Sequence, residues 1–196
     1  MNKYLYLLSA LLVSAAFPAL AQTNPAPETP AVAGQVVSDP VMEKVSALQK
    51  EWAEIKYQIP SDDAKLEAIH KLEAEAAQVS ADNSTRAEPK IWEAIILSTE
   101  AGIIKGMSAL PKVEKAKTLL EEAEKIDPNA LEGSAHTSLG SLYYQVPGWP
   151  VGFGDDEKAE HHLKTALQIN PNGIDPNYFY GDFLLQDGRA EEAKPY

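Results

Sequence analysis

From Asp39 onward the apolar positions of the chain return every three or four residues. Val41, Val45, Leu48, Trp52 and Ile55 line one face of a helix that must stop before Pro60. Asp39 suits the cap of that helix, Pro40 its first position, and Glu43 the positive end of its dipole. Ser61, Asp62 and Asp63 open a second helix whose face carries Leu66, Ile69, Leu72, Ala76 and Val79. A third is expected from about Pro89 to Met107 through Ile91, Trp92, Ile95, Ile96 and Ile103. A fourth is expected from about Pro111 to Ile126 through Val113, Ala116, Leu119, Leu120 and Ala123. Short connections make successive helices antiparallel, and nothing in the chain reads as a strand pair.

Before Asp39 the pattern is different. Lys3 is followed by an apolar run from Tyr4 to Phe17, then Pro18 and the small pair Ala19 and Ala21. That order predicts a signal peptide over 1–21, cleaved after Ala21, and a periplasmic location. The run is shorter than the roughly 20 apolar residues of a spanning helix, and no later stretch qualifies, so no membrane span is expected. Residues 22–38 are rich in Pro and Ala without periodicity and read as a flexible linker.

Composition narrows the choice of partner. The 29 acidic against 17 basic side chains give a net charge of −12, which repels phosphate backbones and disfavours nucleic acid. With no cysteine, an exported chain draws its stability from core packing alone.

Small residues then recur in a fixed frame. Ala116, Leu120, Ala123 and Pro128 keep steps of 4, 3 and 5, and Ala159, Leu163, Ala166 and Pro171 repeat them. Leu139, Gly140 and Tyr143 precede the second set; Tyr180, Gly181 and Leu184 precede Ala193. Ala159 to Ala193 spans 34 positions (193 − 159), and Gly140 to Gly181 spans 41 (181 − 140), seven more. This pattern resembles the tetratricopeptide repeat, whose unit is 34 residues and whose small side chains let two helices cross closely. The resemblance implies an all-α, tetratricopeptide-like α-solenoid of antiparallel helix hairpins. It covers residues 111–196, with an inserted loop at 145–158 and an incomplete last repeat, while 39–110 reads as N-terminal helical hairpins without the motif. The segment from Tyr143 to Ala193 is also similar to exported bacterial repeat proteins and, more loosely, to the tetratricopeptide T-component of TRAP transporters.

In that family the first helix of each unit lines a concave wall. Carried over from Gly140 and Gly181, the wall consists of Thr137, Ser141, Tyr144 and Gln145, then Asp175, Tyr178, Asp182 and Gln186. Trp149 and Phe153 in the inserted loop are candidates for a lid or anchor beside it, or for plugs of the helix ends. The resemblance implies a scaffold or adaptor that holds a protein or peptide; the alternative is a small-molecule-binding accessory component of a solute transport system. The incomplete last repeat leaves an apolar face, for which a homo-oligomer is one candidate cover.

No catalytic residues, cofactor or metal site are read from the sequence. There is no nucleophile-elbow, zinc-protease or phosphate-loop motif. Glu67-Ala-Ile-His70 is only half of a di-iron helix motif. His161 and His162, about 100° apart on a helix, cannot clamp a metal without other elements and read as surface histidines.

Overall fold

The computed structural model describes residues 39–196; the signal peptide and linker expected over 1–38 lie outside the described residues. The order is α1 (Pro40–Gln58), α2 (Asp62–Asp82), α3 (Ala87–Ile104), a 3₁₀ turn (Gly106–Ala109), α4 (Leu110–Ile126), α5 (Ala130–Gln145), α6 (Asp156–Ile169), α7 (Ile174–Gln186) and α8 (Ala190–Ala193). The fold is all-α, with no strand among the described residues, and none of these helices is long and apolar enough to cross a membrane.

Local chemistry sets most boundaries. The Asp39 carboxylate accepts from Val41 N at 2.9 Å and Met42 N at 3.4 Å, Ser61 Oγ accepts from Ala64 N at 3.2 Å, and Asp155 accepts from Lys158 N at 3.1 Å. Each satisfies amides that the first helical turn leaves without partners. The third helix departs from expectation: it starts two residues earlier than Pro89 and ends at Ile104, before Met107. Lys105 and Gly106 both take positive φ, 61° and 68°, which turns the chain out of the helix and into the 3₁₀ turn. A second left-handed stretch, Leu131, Glu132 and Gly133, opens α5, so its regular part follows Gly133.

Ion pairs give the helix directions. Lys90 pairs with Glu122, Lys115 with Glu93 and Lys112 with Glu100, so positions rise along α3 as they fall along α4, and the two are antiparallel. Trp52 Nε1 donates to Thr99 Oγ1 at 2.8 Å and Arg86 to Asp39 at 2.9 Å, both across a separation of 47, so α1 and α3 are parallel. Each helix packs on its successor; in addition α1 packs on α3, α3 on α5 and α5 on α7. Among the described residues no two of α2, α4, α6 and α8 pack backbone against backbone, although the Lys112 side chain of α4 reaches Glu73 of α2. The odd-numbered helices therefore form a continuous row against which the even-numbered ones lie singly.

That arrangement explains why α3 is apolar nearly all round: it is flanked by α1, α2, α4 and α5. Its two buried acids are compensated. Glu93 meets Lys115 at 2.9 Å, while Glu100, 0% exposed, meets Lys112 at 2.7 Å and His70 Nδ1 at 2.6 Å. Gly140 lies where α5 and α6 cross closely, and Gly181 where the end of the chain passes α7. A Cβ on Gly140 would sit 2.5 Å from Leu163 Cγ and 3.2 Å from the Ala159 carbonyl; one on Gly181 would sit 3.2 Å from Tyr196 Cβ and 3.9 Å from the Ala193 carbonyl.

Candidate functional site

Tyr144 follows Tyr143 on α5, and adjacent helical residues face different neighbours. Tyr143 turns toward the even-numbered helices, stacking on His162 of α6, with Lys117 of α4 5.9 Å from its ring centre. Tyr144 turns toward α7. Its hydroxyl donates to Asp182 Oδ2 at 2.7 Å, and its ring lies 5.7 Å from that of Phe183. Burial, with the Asp182 charge behind it, holds the Tyr144 phenol far above its ordinary pKa, so it is a permanent donor here.

A polar chain extends from this bond. Gln145 Nε2 donates to the Tyr144 oxygen at 3.1 Å and to Ser141 Oγ at 3.0 Å, and Gln186 Nε2 donates to Asp182 Oδ2 at 2.9 Å. Five of the expected wall residues thus form one network that joins α5 to α7. Ser141 is buried beneath it, as is Thr137, whose hydroxyl lies 3.5 Å from the Gly133 carbonyl. Tyr178 is half-buried beside Tyr144, edge-on to Phe179, and Asp175 is half-buried in the first turn of α7.

Two further residues, Lys56 and Tyr57 of α1, were not read from the sequence. Lys56 Nζ lies 4.8 Å from the Trp52 ring centre and 5.8 Å from that of Tyr57. It is buried and has no hydrogen-bond acceptor. Desolvation pushes this ammonium down to about 8, against a pull upward from the Asp175 charge. Asp175 also acts with burial to raise the Tyr57 hydroxyl. The Asp175 charge acts on both Lys56 and Tyr57, so the C-terminal end of α1 lies within electrostatic range of the first turn of α7, the helix that carries Tyr178 and Asp182. The spacing of Trp52 and Lys56, one turn apart, was the available signal, but nothing local announces an aspartate more than a hundred positions away.

The inserted loop divides its aromatics. Phe153 folds back, its ring edge-on to Tyr143 at 5.7 Å and 5.8 Å from Lys117 Nζ, on the side of the even-numbered helices. The structure does not bring it to the face of Tyr144 and Tyr178. Trp149 is 90% exposed. Gly154 N donates to the Pro147 carbonyl at 3.0 Å, closing the loop on itself, and Asp155 N donates to the Tyr143 carbonyl at 2.9 Å, which ties the far end of the loop to α5.

The histidines also depart from the sequence reading. His161 is exposed, but His162 is half-buried and faces His136, and so is not a simple surface residue. His70 meets buried Glu100, while Glu67 of the half-motif pairs with Lys71 at 2.8 Å.

Fold and face together define the class: an all-α protein with one polar, tyrosine-bearing surface along its row of odd-numbered helices. No family model matches the chain, and no curated protein matches it either.

Proposed function

We propose that the protein is a periplasmic scaffold or adaptor of tetratricopeptide type that holds a segment of a protein or peptide against the face of α1, α5 and α7. The repeat reading is supported by Gly140 against Ala159 and Leu163, and by Gly181 against Ala193: both pairs place small residues where two helices cross. Export rests on the pattern of residues 1–21.

One observation carries the binding proposal. Lys56 Nζ is buried against the Trp52 and Tyr57 rings without an acceptor, within electrostatic range of Asp175 on α7. An unsatisfied buried ammonium is costly, and a carbonyl or carboxylate oxygen of a bound chain would satisfy it while the tyrosines supply contact area. The same ammonium suits the carboxylate of a small solute, which is the second reading.

Affinity capture from a periplasmic extract tests this, with the mature chain beside a Lys56→Gln, Tyr178→Ala double variant of unchanged circular dichroism. Selective loss of a bound protein from the variant is the expected result. Equal retention by both chains sinks the proposal; a variant-sensitive small molecule, detected by native mass spectrometry in place of a protein, selects the second reading.

A further inference from the structure

Away from that face, three different helices aim a metal-ligating atom at one point. His136 of α5 and His162 of α6 bring their Nδ1 atoms to 3.1 Å, and Glu124 Oε1 of α4 lies 3.6 Å from the same His136 Nδ1. All three ligand atoms fall within 4.8 Å of one another. His136 is 5% exposed, and Glu124 and His162 are half-buried, so the three ligand atoms are partly shielded from solvent.

We propose that Glu124, His136 and His162 form a binding site for one zinc(II) ion, with the remaining coordination position left to solvent.

The distances agree with that ion. Ligand atoms of a tetrahedral zinc, at bonds of about 2.0–2.2 Å, stand about 3.3–3.6 Å apart. The two separations that involve His136, 3.1 and 3.6 Å, bracket that span, and Glu124 and His162 lie within 4.8 Å of each other. Hydrogen bonding alone does not account for the cluster. His136 Nδ1 carries one proton or one lone pair, so it can satisfy the second imidazole or the carboxylate, but not both. A cation between them satisfies all three at once.

The surroundings favour ligation. Burial first, and then the neighbouring imidazoles, push His162 down to about 4, and burial lowers His136, so both rings are neutral and have lone pairs to give. Tyr143 stacks on the His162 ring, 5.6 Å between centres at 11°, and holds its plane. Two imidazoles and one carboxylate suit zinc, and the chain has no cysteine to offer a competing thiolate site. The ion would tie α4 to the α5–α6 pair, where His136 and His162 are otherwise 26 positions apart.

The test uses the chain without a histidine tag, stripped with EDTA and returned to metal-free buffer at pH 7. Calorimetric titration with zinc(II) should show one equivalent, and cobalt(II) should give the intense visible bands of a four-coordinate centre. His162→Asn and Glu124→Gln should each weaken binding by more than about 100-fold, since even an outer partner of a ligand is worth 10–100-fold. Glu124 is half-buried, so its variant keeps the test alive if His162→Asn fails to fold. His70→Asn serves as the control, because His70, Glu73 and Glu100 form a second group of potential ligands. Unchanged affinity in His70→Asn supports the assignment. No zinc uptake by the wild-type chain, or full affinity in the folded Glu124→Gln variant, overturns it, as does loss confined to His70→Asn.

Discussion

At Gly140 a single hydrogen atom decides how closely two helices approach. Gly140→Ala would drive a methyl into Leu163 and the Ala159 carbonyl. Overpacking of this kind costs about 1–3 kcal/mol, against roughly 1 kcal/mol that alanine returns in a helix interior. We expect a net loss of up to about 2 kcal/mol in urea denaturation. Gly106 offers the contrast: nothing lies within 4 Å of its added Cβ, but its φ is +68°. Gly106→Ala should cost about 1 kcal/mol through backbone strain alone, and no change at Leu163 should alter that value. The importance of Gly140 was legible because the repeat frame predicts a small residue there. Lys105 was not, since nothing in its side chain favours a positive φ.

Between elements, ion pairs carry the register that apolar stripes leave loose. Lys112 bridges Glu73 of α2 and Glu100 of α3, and the Glu100 side chain has no exposure at all. Lys112→Met should cost about 3 kcal/mol by leaving that carboxylate without its cation, and adding Glu100→Gln should recover much of the loss in a double-mutant cycle. Arg86 joins α1 to α3 through Asp39 and Glu88 and holds both carboxylates below their ordinary values of 3.8 and 4.5. Their contribution is complete above those values and disappears as pH falls through the lowered folded ones. The melting temperature of Arg86→Gln should therefore converge on that of the wild type in acid and fall below it near neutrality. Helices α1, α2 and α4 were readable because each has a clear apolar period with a cap or a proline at its start. The pairing of Arg86 with Asp39, like that of His136 with His162, was not, because each joins polar residues of separate helices whose spacing reflects only tertiary packing. For the candidate face the division is the same: the frame from Gly140 to Gly181 led to Tyr144 and Asp182, whereas Lys56 lies before the readable repeat.

Across the whole molecule, the row of odd-numbered helices brings Lys56 at one end within electrostatic range of Asp175 at the other. With its pKa pushed down to about 8, Lys56 makes two opposite predictions. The folded state binds fewer protons there than the unfolded chain between pH 8 and the ordinary 10.5, so stability should rise across that interval. Lys56→Met should stabilise the free protein at neutral pH by about 1 kcal/mol, after allowance for residual solvent, and lose that advantage in alkali. Affinity for a partner whose oxygen accepts from the ammonium should instead fall as pH rises through about 8, a dependence that Lys56→Gln removes. The inserted loop carries an intrinsic reporter. Of the three tryptophans, Trp52 and Trp92 are sealed in the core and only Trp149 meets water. Iodide should therefore quench a red-shifted minority of the emission and spare the rest, and any molecule that covers the inserted loop should shield that fraction without label or mutation.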